Sequence, residues 1–221
     1  MPKAAIVILA AGSGSRVGAE TNKVLLQLGS RAVIAHSVAT ALDVPEVAAI
    51  VLVARPGEEA ELGEAVTPVI ADREVLLVRG GEERQDSERA ALDVLRPWVA
   101  SGEIDVIAIH DGARPFASVE LYSAVIATAR VHGGAIPAVP LSSVLSTELI
   151  PVSGPLVGVQ TPQAFRAEAL LAAYDRGGNA ATDTAAVLAS DVGVRAVPST
   201  AGNFKITWPE DVHAAERLFR E

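Results

Sequence analysis

The sequence predicts an α/β fold: a Rossmann-like, mostly parallel sheet with helices on both faces. Apolar runs rich in β-branched residues alternate with longer helical patterns, which implies right-handed βαβ crossovers and a sheet covered on both sides. Half of the 221 residues are apolar and only 4% are aromatic. The core is therefore built from Ala, Val, Leu and Ile, a usage that suits buried parallel strands rather than a sandwich or a disordered chain. Finally, the first apolar run feeds straight into a glycine-rich turn.

Strands are expected at Ala4–Leu9, Ala48–Val53, Glu74–Val78, Ile104–Ile109, Ala135–Val139 and Val194–Val197. The first deserves its own argument, because Met1-Pro2-Lys3 before the apolar run Ala4–Ala11 has the outline of a secretory leader. The run is short and passes directly into Gly12-Ser13-Gly14-Ser15-Arg16, so a buried strand is the better reading. Helices are expected at Ala32–Leu42, Glu83–Leu95, Val119–Val131, Ala167–Asp175, Asp183–Ala189 and Pro209–Arg220. Between Pro140 and Pro162 the chain turns Ser-, Pro- and Gly-rich with short apolar pieces. That stretch reads as a hairpin arm leaving a single domain over residues 1–221. Ligands in such sheets bind beyond the carboxyl ends of the strands, which singles out the turns after Leu9, Val78 and Ile109.

Acids outnumber Lys plus Arg by 27 to 18. This balance argues against nucleic acid or an anionic membrane as a partner, both of which favour basic patches. A small anionic substrate remains possible where a few local cations, with or without a metal, invert the field. With no cysteine there is no disulfide, thiol nucleophile or Cys-based zinc site. No apolar run approaches the ~20 residues of a membrane span, and a cytoplasmic protein is expected.

The loop Ala10-Ala11-Gly12-Ser13-Gly14-Ser15-Arg16-Val17-Gly18 fails two familiar tests. Its third glycine, Gly18, falls one residue late for a dinucleotide fingerprint, and no Gly-Lys followed by Ser or Thr makes a P-loop. What remains is a glycine loop whose backbone N–H groups can approach phosphate oxygens. It carries Arg16 and, seven residues on, Lys23. Two such cations suit stabilising charge on a reacting phosphate; a solvated Arg and Lys in an ordinary turn is the bland alternative.

Ala10 to Arg16 with Asn22-Lys23 resembles the signature loop of nucleotidyltransferases acting on sugar and polyol phosphates. Later motifs narrow the resemblance to the 2-C-methyl-D-erythritol 4-phosphate cytidylyltransferase family, over nearly the whole chain. Gly80-Gly81-Glu82-Glu83-Arg84-Gln85-Asp86-Ser87 is by itself a helix N-terminus or a base-reading rim. The resemblance assigns Gly81, Glu82 and Ser87 to cytosine, and Ala10, Ala11, Gly12 and Gly14 to the nucleotide. His110-Asp111-Gly112-Ala113-Arg114-Pro115-Phe116 is the strongest local signal. An acid at a strand's carboxyl end suits Mg²⁺ (or another divalent cation), and an Arg three residues on can fork onto a phosphate; a structural Asp–Arg pair closing a turn is the alternative. The resemblance gives Asp111 to metal and nucleotide, with Gly112 beside it, and Arg114 to the acceptor. His110 reads as structural, because a phosphate monoester needs little help from a base.

Gln160-Thr161-Pro162-Gln163-Ala164-Phe165 matches a family landmark, and Thr161 is taken with the acceptor set. Thr182-Asp183 opens a helix that Asp183 can cap, while the resemblance puts Thr182 near the acceptor. Lys205, a surface lysine on its own evidence, becomes a positioner of the acceptor phosphate. The expected partners are CTP and a polyol phosphate, with a homodimer formed through the arm.

The sequence departs from the family pattern in the acceptor half. Family members often carry Ala where Gly112 stands. Val144 occupies the position of an arm threonine, and Ser153 that of an arm arginine, in a shortened arm. A lost bidentate Arg–phosphate contact forfeits about 1.5–3 kcal/mol. The expected activity is Mg²⁺-dependent transfer of CMP from CTP to 2-C-methyl-D-erythritol 4-phosphate, catalysed by Arg16 and Lys23. The alternatives are another acceptor, such as ribitol 5-phosphate, or a CTP-binding subunit with weak or lost transfer.

Overall fold

The computed structural model describes residues 2–12, 22–176, 184–187 and 192–220. Its centre is β1 (Lys3–Leu9), where every side chain from Ala4 to Ile8 is buried. Period-2 alternation sends Ala4, Ile6 and Ile8 to one face and Ala5 and Val7 to the other. Both faces are covered, so the strand reads as a continuous apolar run rather than as alternating polarity.

The other strands of the sheet are β4 (Val47–Ala54), β5 (Leu76–Arg79), β6 (Ile104–Asp111), β7 (Gly134–Leu141), β8 (Leu156–Val159), β9 (Gln163–Arg166) and β10 (Val194–Pro198). The order is β10-β7-β9-β6-β1-β4-β5, with β8 paired to β7. β4 and β6 flank β1 in parallel, with Leu9 level with Val53 on one side and Asp111 on the other. This register brings three strand ends, and the turns that follow them, to one edge of the sheet.

Helices α1 (Val33–Asp43), α2 (Glu59–Ile70) and α4 (Val119–His132) cover one face through Ile34, Val38, Leu62, Tyr122 and Val125. On the other face lie α3 (Arg84–Ala100) and α5 (Ala167–Asp175), which contribute Leu92, Leu95, Leu170 and Tyr174. Each such fully buried aliphatic side chain contributes about 1.5–3 kcal/mol. A small ribbon of β2 (Gln27–Leu28) and β3 (Arg31–Ala32) packs Leu28 against Ile206 and Ala215, docking α6 (Pro209–Arg220). Among the described residues no helix is long and apolar enough to cross a membrane.

The six expected strands all form, with ends displaced by one or two residues. The hairpin arm expected after Pro140 forms as well, whereas α2, β9, the β2–β3 ribbon and the turn at Thr184–Val187 depart from expectation. Helix α2 is absent from the sequence reading because Gly63 and Pro68 interrupt it. Its apolar positions Leu62, Val66 and Val69 are nonetheless buried at helical spacing. β9 inserts antiparallel between β6 and β7, pairing Ala164 with both Ala108 and Ala135. β8 folds back on β7 from Leu156↔Leu141 to Val159↔Ala138, so the stretch after Pro140 is a β-hairpin whose tip is closed by a bridge between Leu145 and Pro151. Of the helix expected at Asp183–Ala189, the described part is a 3-10 turn, Thr184–Val187.

Candidate active site

The carboxyl ends of β1, β4, β5 and β6 open onto a cleft of about 940 Å³. One wall is the end of β1: Ala10, Ala11 and Gly12. Opposite stands the start of α3, with Gly81, Glu82 and Ser87. These two walls approach closely because Gly80 has no side chain. A Cβ there would lie 2.8 Å from Ala11 Cβ and 3.1 Å from the Ala54 carbonyl oxygen. Gly81 N–H donates to Ser87 Oγ at 3.2 Å, and Glu83 with Asp86 forms a capping box that fixes where α3 begins.

Lys23 borders the same cleft and is buried, in a 3-10 turn spanning Lys23–Leu25. Asn22 sets that turn. Its amide donates to the Ala10 carbonyl at 2.9 Å and to Glu58 Oε2 at 2.7 Å, while its Oδ1 accepts from Val24 N–H. The lysine is thereby tied to the end of β1, although the intervening loop separates them in sequence. Arg16, Gly14 and Thr182 lie outside the described residues.

Asp111, the last residue of β6, is the focus of the charge distribution. Its carboxylate meets Arg84 Nη1 at 2.5 Å, Lys205 Nζ at 3.0 Å and Arg114 Nε at 3.6 Å. Burial alone would raise its pKa, but Arg84 and then Lys205 hold the carboxyl well below the usual carboxylate range. The turn after it is braced from several sides. Gly112 N–H donates to Leu9 O at 2.9 Å, Ser37 Oγ donates to Gly112 O at 3.1 Å, and Ile206 N–H donates to Ala113 O at 2.9 Å. This last bond brings Lys205 alongside. An added Cβ at Gly112 would sit 2.6 Å from Ile34 Cδ1 and 3.0 Å from the Leu9 carbonyl oxygen, so alanine fits this chain only if the turn shifts.

Beneath Asp111 runs a chain of polar groups. Asp111 N–H donates to Thr161 Oγ1 at 2.9 Å, and Thr161 Oγ1 lies 3.1 Å from His110 Nδ1. His110 Nε2 lies 3.2 Å from the Arg114 carbonyl, which can only accept. The proton therefore sits on Nε2, and the Thr161 hydroxyl donates to Nδ1. Burial brings the His110 pKa down to about 4, so the ring is neutral, in line with its structural reading.

Two residues of the expected acceptor set, Thr161 and Arg114, are bonded within this turn. Thr161 is buried, and both its donor and acceptor capacities are used within the turn. Arg114 donates from Nη1 to the Asn203 carbonyl at 2.8 Å, and Asn203 Nδ2 returns a bond to Thr161 O at 2.9 Å. Both residues thus brace the turn that carries Asp111. Three residues with site roles escaped the sequence reading. Arg84 was quoted within Gly80–Ser87 without a role because its partner Asp111 stands on another strand. Asn22, part of the signature-loop resemblance, and Asn203 make their bonds to Ala10 O and Thr161 O across the fold, and the sequence does not show those pairings.

No group of three or more His, Asp or Glu side chains among the described residues is arranged to hold a metal. The cleft offers one deep carboxylate, Asp111, and two on the rim, Glu82 and Glu83. Mg²⁺ is typically held by one or two carboxylates and completes its shell with waters and substrate phosphates. The donor set fits an ion of that kind arriving with a triphosphate, with Asp111 as its protein ligand, more than a prebuilt protein cage.

Comparison with known proteins agrees with this geometry. The family model for 2-C-methyl-D-erythritol 4-phosphate cytidylyltransferase (IspD) matches residues 4–221. The chain is 38% identical to the protein of that name from Cereibacter sphaeroides, over 97% of this chain and 96% of the relative. A bifunctional IspD/IspF enzyme of Clavibacter michiganensis is 36% identical over 98% of this chain, which spans about half, 54%, of that longer relative. Among solved structures, the 4-diphosphocytidyl-2C-methyl-D-erythritol synthase of Anaerococcus prevotii superposes with a TM-score of 0.84 at 26% identity, covering 100% of this chain and 97% of the other. The cytidylyltransferase of Thermus thermophilus gives 0.77 at 28%, covering 99% and 100%. Fold, cleft and sequence thus agree, and the chain belongs to the 2-C-methyl-D-erythritol 4-phosphate cytidylyltransferase family.

Proposed function

We propose that this chain transfers the cytidylyl group of CTP to 2-C-methyl-D-erythritol 4-phosphate, releasing pyrophosphate and forming 4-diphosphocytidyl-2-C-methyl-D-erythritol. The observation that carries the reading is the cleft itself: a glycine-lined strand end and the start of α3 facing each other, with Lys23 on its wall and Arg84 and Lys205 paired with Asp111. An acceptor phosphate oxygen attacks the α-phosphorus of CTP in line, and the bond to the pyrophosphate oxygen breaks. Asp111 would hold a Mg²⁺ that arrives with the triphosphate, and the ion would neutralise phosphate charge. Lys23 stabilises the charge that builds on the α-phosphate oxygens, with Arg16 assigned the same task by resemblance. Lys205, partly exposed beside Asp111, takes the acceptor phosphate in this reading. Alignment and fixed positive charge supply the rate, without a covalent enzyme intermediate.

The arm supports a homodimer, because its hairpin exposes Leu145, Leu149, Ile150, Val152 and Val157 together. Such a patch is what a second copy would cover. A cytoplasmic location fits an enzyme that draws on CTP. A second reading, another polyol phosphate as acceptor, is favoured by one observation: the arm holds Val144 and Ser153 where family members hold a threonine and an arginine. Pyrophosphate release with CTP and Mg²⁺ across a panel of polyol phosphates tests both. Turnover highest with 2-C-methyl-D-erythritol 4-phosphate supports the first, and turnover highest with ribitol 5-phosphate supports the second. CTP binding with no release for any acceptor contradicts both.

A further inference from the structure

Behind the cleft wall, α3 carries a buried acid to which the transfer reaction gives no role. Glu88 stands one helical turn after Arg84, and its side chain is 1% exposed. Donors from three separate segments converge on its two oxygens. Arg84 Nε reaches Oε1 at 2.8 Å, and Thr184 Oγ1, in the 3-10 turn Thr184–Val187, reaches the same oxygen at 2.8 Å. The hydroxyl of Tyr174, on α5, donates to Oε2. An ionised carboxylate accepts on both oxygens and matches all three donors; an amide accepts on one only. Burial pushes the Glu88 carboxyl above the usual range, and Arg84, Tyr174 and Thr184 oppose that push.

Arg84 is consequently stretched between two acids, with Nε on Glu88 and Nη1 on Asp111. A guanidinium is a rigid planar fork, so holding Nε from behind fixes the direction of Nη1 in front. We infer that Glu88 is a positioning residue for nucleotidyl transfer: held by Tyr174 and Thr184, its carboxylate orients the Arg84 guanidinium against Asp111 at the wall of the cleft. The inference rests on the transfer activity proposed above and extends it to a residue outside the cleft.

The test uses the full chain with CTP, Mg²⁺ and the best acceptor, and separates KM from kcat. Glu88→Gln keeps the shape and one acceptor oxygen but removes the charge on Arg84. Misplacing a group at the site by a fraction of an ångström to an ångström costs roughly tenfold to a hundredfold in rate, so kcat is expected to fall at least about tenfold while KM for CTP stays within about threefold. Because Glu88 acts through Arg84, the double variant Arg84→Ala with Glu88→Gln should be no slower than Arg84→Ala alone. A purely structural Glu88 would lower the melting temperature and leave kcat, measured well below it, unchanged. An unchanged kcat, or losses that multiply in the double variant, overturns the inference. Should Glu88→Gln fail to fold, Tyr174→Phe removes one anchor of the carboxylate and leaves the charge. A fall of about threefold in its kcat supports the inference, and a wild-type kcat overturns it. Wild-type chain that releases no pyrophosphate with any acceptor overturns the functional reading and this inference together. An active wild type beside an equally active Glu88→Gln overturns the inference alone.

Discussion

The turn that carries Asp111 and the hairpin arm lie at opposite extremes of how a segment can be held. Asp111, Gly112 and Arg114 are fixed by partners that are distant in sequence: Leu9, Ser37, Arg84, Thr161, Asn203 and Lys205. The tip of the arm is held by its own neighbours, Ser146 N–H to Ile150 O and Val152 N–H to Val144 O, and turns its apolar side chains outward, Leu149 being 76% exposed. The first region is pre-organised within one chain. The second presents apolar surface that one chain leaves uncovered. On the function proposed above, the nucleotide half of the reaction draws on the pre-organised region and the acceptor half on the arm.

The comparison breaks most readily at its rigid end. Asp111→Asn leaves Arg84, Arg114 and Lys205 around a neutral group, and removing one partner of a buried ionic cluster costs about 3–5 kcal/mol. Because Arg84 and Lys205 both reach solvent, a loss of about 3 kcal/mol in denaturant unfolding is expected, with loss of transfer. A stability within ~1 kcal/mol of wild type would show that the cluster does not organise the turn. Lys23→Ala should lower kcat by about 10²–10³-fold, the typical effect of removing one preorganised stabilising group. CTP affinity, titrated calorimetrically without acceptor, should change far less. Equal losses in both would mean that Lys23 binds the ground state rather than the transition state.

How much of this was legible in the sequence follows the same division. β1 and β6 could be read because both faces of each strand are buried, leaving apolar runs at Ala4–Ala11 ahead of Gly12 and at Val106–Ile109 ahead of His110-Asp111. β9 could not, since Gln163–Arg166 has no alternation and its partners Val106–Ile109 and Gly134–Ala135 lie far along the chain. Helix α2 hid behind Gly63 and Pro68, where tertiary burial of Leu62 and Val66 overrides propensity. At the site, chemistry-bearing residues after strand ends were identifiable one by one. Their pairing was not, because Arg84–Asp111 and Thr161–His110 contacts arise only when β5, β6 and β9 assemble. The bonds of the Thr161 hydroxyl within the Asp111 turn are of this kind.

His110 sharpens the rigid side further. Its folded pKa, brought down to about 4 by burial, lies below the ~6.5 of an unperturbed histidine. The unfolded chain therefore binds more protons between those values. The contribution to stability is full above pH ~6.5 and is lost as pH falls toward 4, about 3 kcal/mol over the window. Unfolding free energies across that range, measured without metal or nucleotide, should slope downward with acidification, and His110→Asn should flatten the slope. The arm is tested by restoring what it lacks. Val144→Thr with Ser153→Arg should lower the acceptor KM by roughly tenfold or more if an arm arginine contacts its phosphate, as a charge-assisted bond of about 1.5–3 kcal/mol allows. Leu149→Asp is expected to leave monomer stability within ~0.5 kcal/mol of wild type while weakening self-association in sedimentation.

The central claim is that the cleft between the end of β1 and the start of α3 takes a cytidine triphosphate together with a divalent ion. Calorimetric titration of the full chain with CTP, in Mg²⁺ and again in excess chelator, tests it most directly. Saturable binding near one CTP per chain, weakened at least about tenfold when the metal is removed, is the predicted result. No measurable CTP binding in Mg²⁺, or an affinity indifferent to chelation, would contradict it.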